Sequence, residues 1–215
     1  MALNVENQRP SIVVMGVAGV GKTTVAAALA ERLGLPYAEA DDFHPQRNVD
    51  KMAAGIPLDD ADREPWLRAL GDWLGARRAE GSGGVVTCSA LKRSYRDILR
   101  AHCPDVVFVH LTGSDALVQE RLARRTGHFM KAGMLQSQLA ILEPLGADEN
   151  GVALDIGPAP EALVEQAAAL LQPVEPLQPV EPLQAAKPLQ RVEPLRPVEP
   201  LRPVDEQRPV NGDLA

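Results

Sequence analysis

Ser11-Ile-Val-Val-Met15-Gly16-Val17-Ala18-Gly19-Val20-Gly21-Lys22-Thr23-Thr24 is the stretch from which the rest of the chain can be read. Ser11 to Met15 is the largely apolar run that a buried strand needs. Gly16, Gly21, Lys22 and Thr23 then fit the spacing G-x-x-x-x-G-K-[ST], and the residues up to Leu33 favour a helix. Strand, glycine-rich turn and helix in that order make a phosphate-binding loop. The glycines let the backbone N–H groups of residues 16 to 24, Val17, Ala18, Gly19 and Val20 included, turn inward around a phosphate. The helix adds its positive N-terminal end. In this reading Lys22 reaches the outer phosphates and the Thr23 hydroxyl ligates Mg²⁺.

Composition narrows what such a loop can serve. The chain has 215 residues, 45% of them hydrophobic, enough for one sizeable core and short for two. A net charge of -7 argues against a non-specific nucleic-acid binder, which usually needs a basic face. Cys88 and Cys103 lack C-x-x-C spacing and read as reduced thiols. Met1 to Pro10 is polar and reads as a flexible N-terminus, and no window approaches the roughly 18 apolar residues of a membrane span. The expectation is a soluble, cytoplasmic protein with neither nucleic acid nor membrane as partner.

From Pro173 the character changes. Pro173-Val-Glu-Pro-Leu-Gln178 is followed by Pro179-Val-Glu-Pro-Leu-Gln184 and by degenerate copies, and residues 173–215 hold ten of the 19 prolines. Proline at that density removes backbone donors and fixes φ, so neither helix nor sheet propagates. The chain is expected to divide into an N-terminal segment 1–10, a folded domain 11–172 and a disordered proline-rich tail 173–215.

Within the domain, strand candidates (Ser11–Met15, Leu35–Ala40, Gly84–Ser89, Asp105–Leu111, Val152–Ile156) alternate with helix candidates. The helices fall near Gly21–Leu33, Pro65–Arg78, Ala90–His102, Ser114–Arg125, Lys131–Leu142 and Pro160–Leu171. Alternation with continuous apolar strands predicts an α/β fold, a five-stranded parallel sheet covered by helices on both faces. Ligands of such sheets sit beyond the carboxyl ends of the strands. Gly16 to Thr23, Glu39 to His44 and Ser89 to Arg93 should therefore converge on one cleft.

Glu39-Ala-Asp41-Asp42-Phe-His44-Pro45 follows the second strand. Beside a bound nucleotide, a carboxylate there can hold Mg²⁺ through water or can orient and deprotonate an acceptor hydroxyl, and Asp41 is the candidate for the acceptor role. Further on come Asn48, Lys51-Met52, Gly55, Pro57-Leu58, Asp60, Asp62-Arg63 and Pro65-Trp66-Leu67. Cys88-Ser-Ala-Leu-Lys92 with Tyr95-Arg96-Asp97, Arg121-Leu122, Gly127-His128-Phe129-Met130, Ser137-Gln138 and Leu142-Glu143-Pro144 complete the set. With these blocks, over about residues 11 to 157, the chain strongly resembles the gluconokinases, small P-loop kinases related in fold to the shikimate and nucleoside-monophosphate kinases.

The resemblance implies a P-loop kinase with a small helical lid that transfers phosphate from ATP, with Mg²⁺, to D-gluconate, giving 6-phospho-D-gluconate. It suggests a homodimer. The residue types suit an anion with five hydroxyls. Arg63 can pair bidentately with a carboxylate, Lys92, Arg93 or Arg96 can add charge, and Asp41 and His44 can hydrogen-bond hydroxyls. His128 is a further candidate substrate contact. By resemblance, Arg121 lies near the adenine, and Arg124 or Arg125 meets the phosphates as charge moves to the leaving oxygen. Lys22, Asp41 and Arg125 form the expected catalytic set, with Glu39 a water-mediated metal ligand. Trp66 and Trp73, seven residues apart, read as one packed helix face. Two other readings stay open, a kinase of another small hydroxy acid and a nucleotide-dependent switch. The guanine-reading order N-K-x-D that would favour a switch does not occur, since Asn48-Val-Asp-Lys51 has the wrong order.

Overall fold

The computed structural model describes residues 9–124 and 134–171. In chain order these form β1 (Ser11–Met15), α1 (Lys22–Leu33), β2 (Tyr37–Ala38), a 3₁₀ turn (Ala40–Phe43), α2 (Gln46–Ala53) and α3 (Asp60–Ala79). Then follow β3 (Gly84–Thr87), α4 (Arg93–His102), β4 (Val107–Thr112), α5 (Asp115–Arg124), α6 (Met134–Ile141), β5 (Gly151–Asp155) and α7 (Pro160–Leu171). The five strands pair in parallel in the order β2-β3-β1-β4-β5. This is the expected three-layer α/β/α architecture.

β1 is the central strand, with Val14 opposite Thr87 of β3 and Met15 opposite His110 of β4. Its residues are buried on both faces, which is why its sequence is continuous rather than alternating. Ile12 and Val14 pack into one apolar cluster with Val25 and Leu29 of α1 and with Leu163 and Ala167 of α7. Val13 and Met15 pack into the other with Leu67, Leu70 and Leu74 of α3 and Leu99 of α4. A fully buried leucine contributes about 1.5–3 kcal/mol, so each face of the sheet fixes a helix pair firmly. The connections run outward from β1 in both directions, and the crevice of such a sheet opens at that reversal, where the phosphate loop leaves β1.

Three boundaries differ from expectation. β2 is two residues rather than six, since only Tyr37 and Ala38 reach β3. The 3₁₀ turn and α2 had no counterpart in the periodicity. α3 begins at Asp60 rather than Pro65, because Asp59 and Asp62 form a capping box: Asp59 Oδ1 accepts from the Asp62 amide (2.8 Å) and Asp62 Oδ2 from the Asp59 amide (3.1 Å). Pro65 therefore lies inside the helix. The tail, most of the N-terminal segment, and residues 125–133, where the expected lid falls, lie outside the described residues.

Candidate active site

The turn between β1 and α1 has the backbone of an anion cradle. Gly16, Gly19 and Gly21 have φ of 135°, 89° and 94°, which side-chain-bearing residues rarely adopt. At Gly16 a Cβ would also stand 2.6 Å from the Leu111 carbonyl oxygen. Val17 and Val20 bury their side chains and anchor the turn from below. Gly21 caps α1 without a side-chain hydrogen bond, and the first turn carries no acid. The amides at that end thus suit a polyphosphate. Lys22 Nζ donates back across the loop to the Val17 carbonyl (3.1 Å). The Gly16 amide donates to the Ser89 carbonyl (3.3 Å), tying the loop to the exit of β3, and the Ala18 amide donates to Gln138 Oε1 of α6 (2.7 Å). Thr24 is exposed and lines the edge of a shallow groove of about 400 Å³ between α1 and α7, away from the loop.

Glu39 stands beside this cradle. Thr87 Oγ1 donates to its Oε2 (2.5 Å), Tyr37 Oη donates to its Oε1, and the Thr23 hydroxyl also reaches it. Burial opposes the charge on Glu39, but these three hydrogen bonds and the nearby Lys22 hold its carboxyl below the usual range. An ionised carboxylate next to the loop threonine is a donor set that fits a hard divalent cation.

Across the cleft, the 3₁₀ turn presents Asp41, exposed, and places His44 just beyond. The His44 ring stacks on Trp66 (centroids 4.4 Å apart, 13° between planes), and Trp66 Nε1 donates to the Ala40 carbonyl (2.7 Å). Burial holds the His44 imidazole below its ordinary pKa, with Arg63 reinforcing that effect and Asp41 opposing it. Trp73 packs edge-on against Phe43, so both tryptophans do line one packed face. Arg63 is half-buried, and the acids beside it in sequence are engaged elsewhere: Asp62 pairs with Lys51 (2.7 Å) and Glu64 with Arg68 (2.7 Å). Among the described residues the Arg63 guanidinium has no hydrogen bond or ion pair.

Cys88 lies at the same end of the sheet. It is buried one residue past β3, and burial pushes its thiol up to about 12; the field of Lys22 and Arg63 lowers it and that of Asp41 raises it. The Gly16 amide ties the loop to Ser89 just past β3, the turn carrying Asp41 follows β2, which pairs with β3, and Trp66, three residues after Arg63, bonds that turn at Ala40.

Other candidates are placed differently. Lys92 Nζ contacts both carboxylate oxygens of Asp60 (2.8 Å each), which also accepts from the Tyr95 hydroxyl (2.5 Å). Arg93 pairs with Asp97 and Asp148. Arg96 requires correction. It is 0% exposed, paired with Glu149 at 2.6 and 2.9 Å, and donates to the carbonyls of Ala90, Leu91, Glu143 and Pro144. Its donors are consumed inside the protein, so it cannot bind substrate. Arg121 lies beside the loop, 4.0 Å from where a Cβ on Gly21 would be, and donates to the Ile156 carbonyl (2.5 Å). Arg124 is solvent-facing and pairs with Glu120. Arg125 and His128 lie outside the described residues.

Residue patterns did not single out Thr87, Tyr37, Gln138 or Asn48 as contributors. Gln138 and Asn48 stand in blocks that carried the resemblance, yet nothing local says what they touch. Thr87, a hydroxyl at the end of an apolar strand, was the one available signal.

A parallel five-stranded sheet with this loop between β1 and α1 defines a P-loop nucleotide-binding protein. Residues 12–139 match the family described as an AAA domain. The gluconokinase of Gluconobacter oxydans is 50% identical over 155 residues, 72% of this chain and 87% of that one. Among solved structures, a gluconokinase from Sinorhizobium meliloti superposes with a TM-score of 0.70 at 47% identity, over 77% of this chain and 93% of that one. An unliganded sugar kinase from a Janibacter species gives 0.71 at 51% identity, over 75% and 94%. The chain belongs to the gluconokinase family. Membership implies ATP as phosphoryl donor and a small molecule as acceptor.

Proposed function

We propose that this protein transfers the γ-phosphoryl group of ATP to the C6 hydroxyl of D-gluconate, giving 6-phospho-D-gluconate and ADP. The observation that supports this reading is the tie of the phosphate loop to the exit of β3 through Gly16 and Ser89, beside the Asp41 turn that follows β2 and is bonded to the Arg63 helix through Trp66 and Ala40. Phosphoryl transfer needs little covalent help from a protein; it needs two reactants aligned and the developing charge neutralised. The loop amides and Lys22 hold and neutralise the phosphates. Asp41 accepts a hydrogen bond from the acceptor hydroxyl and orients it. Arg63 takes the gluconate carboxylate, and His44 takes a hydroxyl along the chain. Lys92 adds positive charge once it exchanges Asp60 for substrate. Arg121 flanks the nucleotide beside Gly21.

A Mg²⁺ ion accompanying the nucleotide would be held by the Thr23 hydroxyl, with Glu39 bonded to its water, and would neutralise phosphate charge. Arg124, Arg125 and His128 belong in this reading to the lid side of the site. The working protein is a cytoplasmic homodimer that binds neither nucleic acid nor membrane. Among the described residues, no helix is long and apolar enough to cross a membrane. Residues 11–172 constitute the kinase, and 173–215 are an accessory tail.

A coupled ADP-release assay over a panel of sugar acids tests the proposal. The expected result is Mg²⁺-dependent turnover with gluconate well above that with its epimers. Turnover with another acceptor and none with gluconate would overturn the substrate while sparing the kinase.

A further inference from the structure

Two neighbours fix the ring of His44. Trp66 stacks against its face at 4.4 Å, and Asn48 of α2 meets its edge, with Asn48 Nδ2 3.3 Å from His44 Nδ1. The same Nδ2 donates to the Asp62 carbonyl at 2.8 Å. An amide nitrogen has two hydrogens, and here one goes to each partner. The Asp62 carbonyl sets which way the amide faces, because the reverse orientation would oppose two acceptor oxygens. His44 Nδ1 must then accept, and a neutral imidazole that accepts at Nδ1 carries its proton on Nε2.

Packing does not account for an asparagine at this position. Asn48 is completely buried, and its Oδ1 has no partner among the described residues, a cost that an apolar side chain would avoid. The two Nδ2 donations are what the side chain contributes. One ties α2 to the first turn of α3, and the other acts on the ring in the acceptor wall.

We propose that Asn48 is a positioning residue that locks His44 in its Nε2–H tautomer, so that the ring offers the sugar acid a hydrogen-bond donor and not an acceptor. The oxygen it meets is then selected for its lone pair, as a hydroxyl or carboxylate oxygen. This rests on the placement of His44 in the acceptor site proposed above. Protonating His44 would set an N–H against the Asn48 amide hydrogens, so the lock also holds the ring neutral.

Nitrogen-15 NMR of the imidazoles in the full-length protein at neutral pH tests the lock directly, with the His44 signals identified by their loss in His44→Gln. The expected spectrum shows the Nε2–H tautomer, with Nε2 shifting on saturation with gluconate. In Asn48→Asp, whose oxygen can only accept, the ring should move to the Nδ1–H or doubly protonated form. Gluconate KM should then rise by about tenfold, as for one lost hydrogen bond, with ATP KM within about twofold. An Nδ1–H tautomer in the unaltered protein, or an Nε2 resonance indifferent to gluconate, overturns the proposal whether or not the variant folds. Gluconate turnover together with an Nδ1–H tautomer would overturn this inference alone, whereas absence of turnover would overturn the function itself.

Discussion

The two walls of the cleft are built on different principles. The proposed phosphate wall is one contiguous segment, residues 16 to 23, and its working groups are mostly backbone amides held by three positive-φ glycines over a buried floor. The proposed acceptor wall is made of side chains from separate segments: Asp41 from the 3₁₀ turn, His44 after it, Asn48 from α2, and Arg63 and Trp66 from α3. These are fixed to one another by Trp66 to Ala40, Asn48 to Asp62 and Lys51 to Asp62. A site made of backbone tolerates side-chain change everywhere except at its glycines, its lysine and the Thr23 hydroxyl. A site made of side chains depends on each polar link, and this is where specificity can be altered without losing the nucleotide.

Substitutions that fall on one wall and spare the other test that difference. The largest effect is expected from Arg96→Ala, a control on neither wall, which leaves the charged, buried Glu149 with only the Gly146 amide and Arg93 at 3.6 Å; losing one partner of such a pair costs about 3–5 kcal/mol. That is a fall in melting temperature on the order of 10 °C for a domain of this size. Gluconate KM, measured below the transition, should stay within about twofold, since no group in the cleft is touched. A raised KM at unchanged melting temperature would return Arg96 to the acceptor wall.

Lys22→Ala should lower kcat by about 10²–10³-fold through loss of charge stabilisation on the phosphates, with the melting temperature nearly unchanged. Arg63→Ala should do the complementary thing and raise gluconate KM by roughly 10- to 100-fold, with ATP KM nearly constant, because a charge-assisted bond to a carboxylate is lost. Equal effects of Arg63→Ala on both substrates would erase the distinction between the walls.

The phosphate wall should also be the more acid-sensitive. His110 is buried near Gly16, and burial, reinforced by Arg96, pushes its pKa down to about 4. Below the ordinary value near 6.5 the unfolded chain takes a proton that the folded one refuses, so stability present above that pH is lost as pH falls toward 4. The expected loss between pH 6.5 and 5 is about 2 kcal/mol, seen in denaturant melts, and His110→Leu should flatten that slope. Smallest of all, deleting 173–215 should move the melting temperature by no more than about 2 °C and leave both KM values alone, because a proline-rich repeat of this kind adds no core.

How legible each part was follows from the same contrast. The element order and the parallel sheet were readable because β1, β3 and β4 are continuous apolar runs, and the outline of α1 and α7 followed from periodicity. α2 was not readable: Gln46 to Ala53 is mostly polar, and it is held through Asn48, whose partners lie 4 and 14 residues away. The start of α3 was misread because Pro65 resembles a first-turn proline, while the capping box upstream is an Asp-Asp variant. Arg63 and Arg96 had the same standing as candidate cations. Burial of Arg96 against Glu149, 53 residues away, and against the carbonyls of Ala90, Leu91, Glu143 and Pro144 separates the two.

The sequence by itself determined the phosphate loop and the class of fold, because strand, turn and helix propensities and the need for glycine at positive φ are local requirements, and it marked the family through the residue blocks that resemble the gluconokinases. Tertiary structure alone decided which charges stay free to meet a substrate. Pairing and burial depend on what packing brings within about 4 Å, and nothing in residue spacing reports that. It joined Glu149 to Arg96, left Arg63 without an ion pair among the described residues, and set Asn48 against His44.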